Sequence, residues 1–262
     1  MSSNFITLQG ITPGPDRPRV TGDDILPAQG ALLLMDVTHP TNPYAGTLAH
    51  GDQLPNLALA QAQAMTGKSA VALTPTILRT SGSSAWRTPK GQIQWQRTPE
   101  NGFGSLFPIG VLEYMAANIG HRFFFSWGGG YVGGSGINGF VTYATLDPAA
   151  GTGNGFVLLT GNSSGQSNTA TGPRSYYEDR VYTGTAGGAA AALQARSRLL
   201  GNMTPAPGPS TGQMCVGFVY IEDLTVSGRS PGQAAAAHAV KYSRLYENPG
   251  GRYQGDTYAI RS

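Results

Sequence analysis

Two adjacent acidic pairs, Glu178-Asp179 and Glu222-Asp223, are the first groups in this chain that could carry acid–base chemistry. Cleaving a glycosidic bond takes two carboxyl groups flanking one cleft. On a strand those must sit two or four residues apart to share a face. Neighbours face opposite sides, so each pair reads as a solvated strand end, and Glu113 stands alone. The four histidines, His39, His50, His121 and His238, are far apart and lack metal-ligand spacing. The glycine-dense run Gly128–Gly134 lacks the Lys-Ser/Thr of a phosphate loop and reads as a flexible connection. There is no Gly-x-Ser-x-Gly nucleophile elbow. These observations point to a non-enzymatic protein with no catalytic residues, no cofactor and no metal centre.

Binding chemistry is better represented. Trp127 and Tyr131 flank the glycine-rich run, and Tyr176 and Tyr177 sit beside a Ser/Asn/Gly stretch. Ring faces stack on apolar sugar faces while nearby amides bond hydroxyls. The same composition suits a protein–protein rim or plain packing. These four residues are the candidate ligand-binding set, with glycan and protein both open.

The elements that must position them are mostly strands. The strongest signal is Cys215–Ile221, where Val216, Phe218 and Tyr220 alternate with Cys215, Val219 and Ile221. Both parities are apolar, as in a central strand covered on both faces. Ser230-Pro231 then has the form of an N-cap followed by Pro at the first helical position. A helix is expected over about 231–247, with Ala235, His238, Ala239, Tyr242, Leu245 and Tyr246 on one stripe. Further strands are expected at Gly30–Asp36, Ala70–Arg79, Gln92–Arg97, His121–Trp127, Gly139–Leu146 and Gly155–Thr160. Phe107–Ala116 fits helix or strand, and the Ala-rich stretch Ala186–Leu200 fits a helix. Many short strands with glycine-rich turns and no alternating helices argue for an antiparallel β-sandwich. Residues 1–29, rich in Pro and Gly, read as an extended N-terminal arm, leaving 30–262 as the sandwich domain.

Composition narrows the class. Charged residues make up 12% of the 262, about half of the ~25% typical of globular chains. Gly and Pro form about a fifth of the chain, short of the ~25–30% that marks disorder. A net charge of +3 with scattered Lys and Arg gives no nucleic-acid surface. The lone Cys215 excludes a disulfide framework. No run approaches the ~18 apolar residues of a membrane span. The N-terminus lacks the pattern of a signal peptide, so synthesis in a cytosol is expected.

Two stretches carry a resemblance. Leu33-Leu34-Met35-Asp36, His39-Pro40, Asn42-Pro43-Tyr44, Gly46 and Asp52 are similar in order and spacing to the opening of laminin-G-like, concanavalin A-like sandwich domains. The Gly-Asn-Gly that usually follows is replaced by Leu59–Met65. Tyr220-Ile-Glu-Asp-Leu-Thr-Val-Ser-Gly-Arg-Ser-Pro231 resembles the closing unit of such domains and the C-terminal segment of tailed-phage virion proteins. Gly250–Asp256 accompanies it. The resemblance implies a mainly β, concanavalin A-like jelly roll with a C-terminal helix. It also implies a virion protein of the tail or its fibre/adhesion apparatus. Such a protein assembles with other virion proteins, forms a homo-oligomer and contacts a host-surface glycan. In such sandwiches the Asp36/Asp52 loops are a place for calcium, but no EF-hand-like ligand string stands there. A free carbohydrate-binding lectin module is the second reading, and a glycoside hydrolase the third.

Overall fold

A computed structural model of the chain describes residues 25–79, 84–96, 103–133, 141–145, 155–160, 172–181, 194, 197–201 and 213–259. Among these residues eleven strands form two antiparallel sheets. The larger sheet orders β3 (Ser84–Arg87), β4 (Ile93–Gln96), β11 (Gln213–Asp223), β6 (Arg122–Gly133) and β9 (Arg174–Val181), with β1 (Ala31–Asp36) also paired to β11. The smaller orders β2 (Thr76–Arg79), β5 (Phe103–Leu106), β10 (Arg198–Gly201), β7 (Val141–Thr145) and β8 (Gly155–Thr160). Leu33, Trp95, Phe125, Trp127, Val219 and Ile221 from the first sheet share a core with Ile77 and Leu199 from the second. The chain is a β-sandwich, as its sequence indicates, with a helix at its C-terminal end.

Strand β11 is covered on both faces. Val219 and Ile221 point into the sandwich, while Phe218 packs outward on Tyr242, Leu245, Tyr246 and Tyr253. A register shift between Val216 and Phe218 lets Gly217 and Phe218 both serve the outer side. The glycine-dense run corrects the expectation of a flexible turn: Gly128–Gly133 continues β6 alongside β11. A Cβ on Gly128 would stand 2.4 Å from the Phe218 ring, and one on Gly217 would stand 2.3 Å from Tyr253. Small residues are needed there because an aromatic layer lies directly on the backbone.

The C-terminal unit corrects a second expectation. Glu222 and Asp223 are fully buried, not solvated. Glu222 accepts hydrogen bonds from Arg229, which also bonds the Tyr220 hydroxyl and the Ile25 carbonyl. Asp223 caps the short helix α3 (Leu224–Ser227) by accepting from Thr225 and Val226 amides. Left-handed Gly228 ends that helix, and Ser230 and Gln233 form a capping box on α4 (Pro231–Tyr242). The helical path continues through a π-helical turn, Ser243–Glu247. His238, Tyr242, Leu245 and Tyr246 are buried as the stripe requires, but Ala239 is exposed and Lys241 is buried in its stead.

Other elements settle open readings. Phe107–Ala116 holds helix α2 (Ile109–Ala117), and Leu59–Met65 lies in helix α1 (Leu59–Thr66). Residues 71–73 are a 3-10 turn, so the strand expected over Ala70–Arg79 shortens to β2. Asn56 ties α1 to the sheet: its amide accepts from the Leu34 and Ala58 N–H groups and donates to the Leu32 and Leu73 carbonyls. Residues 25–29, assigned above to the arm, are part of the sandwich: Ile25 is buried, and Gln61 bonds the Pro27 carbonyl. The rest of the expected arm, 1–24, lies outside the described residues, as does most of Ala186–Leu200, whose end forms strand β10.

The outer layer is fastened by a buried anion with two cations. Asp36 Oδ2 lies 3.0 Å from Lys241 Nζ and 2.5 Å from Arg252 Nη2. Burial alone would push the Asp36 carboxyl up, but Lys241 and Arg252 outweigh it and hold the group below the ordinary carboxylate range. Lys241 also sits over the Phe218 ring. Removing one member of a buried set strands the others. Asp36→Asn is therefore expected to lower stability by about 3–5 kcal/mol in urea unfolding. Lys68→Ala breaks only the half-exposed pair with Glu113 and should cost no more than about 1 kcal/mol.

Candidate functional site

The four candidate aromatic residues do not form one rim. Trp127 and Tyr176 are cross-strand partners on β6 and β9, 2% and 8% exposed. Their rings stack in the interior, centroids 4.2 Å apart and 10° from parallel. Tyr131 is also buried, at 8%. Trp127 and Tyr176 belong to the core between the sheets, and all three rings are buried. Tyr177 points to the opposite side of β9, 53% exposed, stacked on Phe124 and beside His238. Adjacent positions on a strand face opposite ways, which separates Tyr176 from Tyr177.

The ionisable groups are drawn into structural networks. Asp223 Oδ2 accepts from the Tyr114 hydroxyl at 2.9 Å and lies 2.7 Å from His121 Nδ1. Such a carboxylate–imidazole pair can orient a base, but among the described residues no hydroxyl or thiol hydrogen-bonds His121 to act as its nucleophile. Glu178 and Asp179 pair with Arg180 and Arg122 on the exposed edge strand. His238 Nε2 lies 2.7 Å from Ser175 Oγ, within a box of Phe218, Tyr177 and Tyr242 rings. Its Nδ1 has no partner among the described residues. Burial, with Lys241 nearby, pushes the imidazole down to about 3, so it is neutral at working pH. A base that weak, with no carboxylate behind it, does not activate Ser175.

An open groove of about 410 Å³ lies where the loop after β1 meets the segment leading to α1. Its walls include Asn42, Pro43, Tyr44, Asp52, Gln53, Leu54, Pro55, Leu59 and Thr74. The loop is held from inside. The Tyr44 hydroxyl donates to Asp52 Oδ2 at 2.6 Å and accepts from the Leu48 amide at 2.9 Å. Asp52 also accepts from Ala49 N–H, and these donors lower its pKa, Tyr44 most. Arg87 stacks 4.7 Å over the Tyr44 ring and donates to the Tyr44 and Gly46 carbonyls. Gly46 is required because a Cβ there would stand 2.4 Å from the Tyr44 hydroxyl. Asn42, Tyr44, Gly46 and Asp52, which carry the resemblance, line this groove, a juxtaposition their order in the chain does not reveal.

No family model matches the chain, and no curated protein matches it. Among solved structures it is similar to the CBM22-1 xylan-binding domain of Xyn10C from Paenibacillus barcinonensis. The two share 10% sequence identity over 74% of this chain and 96% of that one, with a TM-score of 0.38. Among the described residues no three His, Cys, Asp or Glu side chains gather as a metal site, and no helix is long and apolar enough to cross a membrane.

His238 has a measurable consequence. Its folded pKa is depressed, so below the unfolded value of about 6.5 the unfolded chain takes up a proton that the folded chain refuses. The His238 contribution to stability should be constant above about pH 7 and fall by roughly 1.4 kcal/mol per pH unit between about 6.5 and 4.5. His238→Gln, which retains a polar group for Ser175, is expected to flatten that segment in urea titrations across pH. An unchanged slope would show that another group carries it.

Proposed function

We propose that this chain is a non-enzymatic structural protein of a bacteriophage virion, in the tail or its fibre/adhesion apparatus. It assembles through its N-terminal residues and contacts host-surface glycans with its loops. The observation that carries the reading is the Tyr220–Pro231 unit, the stretch that resembles tailed-phage virion proteins. Its side chains are bonded as one corner: Tyr220, Glu222 and Arg229 to each other, Asp223 to α3, and Ser230 to α4. A motif whose residues serve the corner itself belongs to a shared scaffold and not to a catalytic cleft.

The ionisable groups support the non-enzymatic half of the reading. Asp36, Glu222 and Asp223, the fully buried carboxylates among the described residues, are tied to cations, a histidine or backbone amides. Glycoside hydrolysis needs one carboxyl group free to give a proton and another free to attack or to activate water. A free carbohydrate-binding module is the second reading, favoured by the groove beside Asp52.

Density-gradient-purified phage particles from cultures carrying the gene should contain the full-length protein, and light scattering should give the purified protein the mass of a discrete homo-oligomer. A chain lacking residues 1–24 is expected to melt at the same temperature yet be missing from particles. Residues 25–29 must stay, because Ile25 and Pro27 are bonded into the sandwich. Absence of the full-length protein from particles would overturn the virion assignment.

A further inference from the structure

We propose that the groove lined by Asn42, Asp52, Gln53, Pro55, Leu59 and Thr74 is a binding site for a neutral glycan. The proposal deepens the host-contact reading above and rests on it for the source of the sugar. Its volume of about 410 Å³ falls in the range of small-ligand sites, roughly 300–1,000 Å³. Asn42 and Gln53 are exposed at its rim, each with a carbonyl acceptor and an NH₂ donor, and the Thr74 hydroxyl, which donates to the Ala70 carbonyl, adds an acceptor. Pro43, Leu54, Pro55 and Leu59 supply apolar wall. Mixed donors and acceptors over an apolar surface match a sugar ring, which has hydroxyls on its edge and C–H groups on its faces.

Charge decides between ligand classes. Among the described residues Asp52 is the sole carboxylate in the lining, and no Lys, Arg or His accompanies it. Phosphate, sulfate and uronate groups would meet a carboxylate with no cation to offset it. Arg87 is turned away, spent on the Tyr44 ring and the Tyr44 and Gly46 carbonyls. A divalent cation is also a poor occupant. Calcium takes about 6–8 oxygen ligands, whereas one oxygen of this single carboxylate already accepts from the Tyr44 hydroxyl and the Ala49 amide. The same two bonds fix the loop before any ligand arrives, so binding does not have to order it.

The purified full chain should bind a subset of neutral hexose, pentose or N-acetylhexosamine oligosaccharides on a glycan array and ignore sialylated and sulfated ones. Asn42→Ala and Gln53→Ala remove exposed amides whose side chains make no hydrogen bond among the described residues. Each should weaken the best array ligand at least tenfold by isothermal titration calorimetry at an unchanged melting temperature. Tyr177→Ala, on the far side of the larger sheet, should leave it unchanged. Loss of binding in Tyr177→Ala with the groove variants unaffected would move the site, and binding to anionic glycans alone, or to none, would overturn the proposal. None of these outcomes touches the particle test, so the groove and the virion assignment can fail separately.

Discussion

The fold depends on one constraint: a central strand with apolar side chains on both faces. Val219 and Ile221 are covered by the second sheet, but Phe218 and Tyr220 need cover on the outside. Residues 224–259 provide most of it, with Ile25 and Ala58 beside Tyr220. Arg229 ties the turn back to Glu222, α4 lays His238 and Tyr242 near Phe218, and the π-helical turn sets Tyr246 against Gly128 and Gly217. Tyr253 closes the layer, its ring 5.0 Å from that of Tyr246. Without this cover β11 would expose an aromatic strip larger than isolated surface residues normally make.

Covering a sheet with a polar, tyrosine-rich segment raises a difficulty that an apolar helix would not, since each hydroxyl and amide taken from water needs a partner. The row Gln92, Gln94 and Gln213 meets it. Tyr246 lies 2.8 Å from Gln92 Oε1, and Gln92 Nε2 reaches Asp256 and Tyr258. Gln94 bonds Gln213 and the Ala259 carbonyl. Thr88 and Lys90 hold Asp256 from the neighbouring turn. Segment 254–259 is accordingly attached by hydrogen bonds, with no fully buried residue of its own, whereas Tyr253 and Tyr246 anchor it by burial. Cys215 sits under this seam; burial, its main influence, pushes the thiol up to about 12, so it behaves as an inert core residue.

What could be read from the sequence was what local periodicity encodes. Strand β11, its two-sided burial and the Ser230-Pro231 helix start follow from alternation and capping chemistry. What could not be read was long-range pairing. Lys241 is left out of the expected helix stripe because its partner Asp36 is about two hundred positions away. Glu222 reads as a strand end reaching water because Arg229, seven residues on, must first be turned back by Gly228. Gly128–Gly133 reads as a turn because glycine has low strand propensity, yet the tyrosine layer demands glycine inside a strand. Trp127 and Tyr176 show the same limit: a ring that stacks on a sugar and one that stacks on another ring have the same composition.

The division between folding and binding shows most clearly in two asparagines on the walls of one groove. Asn56 is 6% exposed and makes four hydrogen bonds to backbone groups of three elements. Its donors and acceptors are spent on the fold, and a ligand would have to break the fold to use them. Asn42 has the same side chain but is exposed, so its groups are shared with water and can be exchanged for a ligand at little cost. The same reasoning separates the buried carboxylates from Asp52. Asp36, Glu222 and Asp223 hold elements together, whereas Asp52 shapes a surface loop and stays open to the groove. With the centre of the larger sheet committed to packing on both faces, the proposed recognition falls to a loop whose conformation is fixed by Tyr44 and Arg87 from behind.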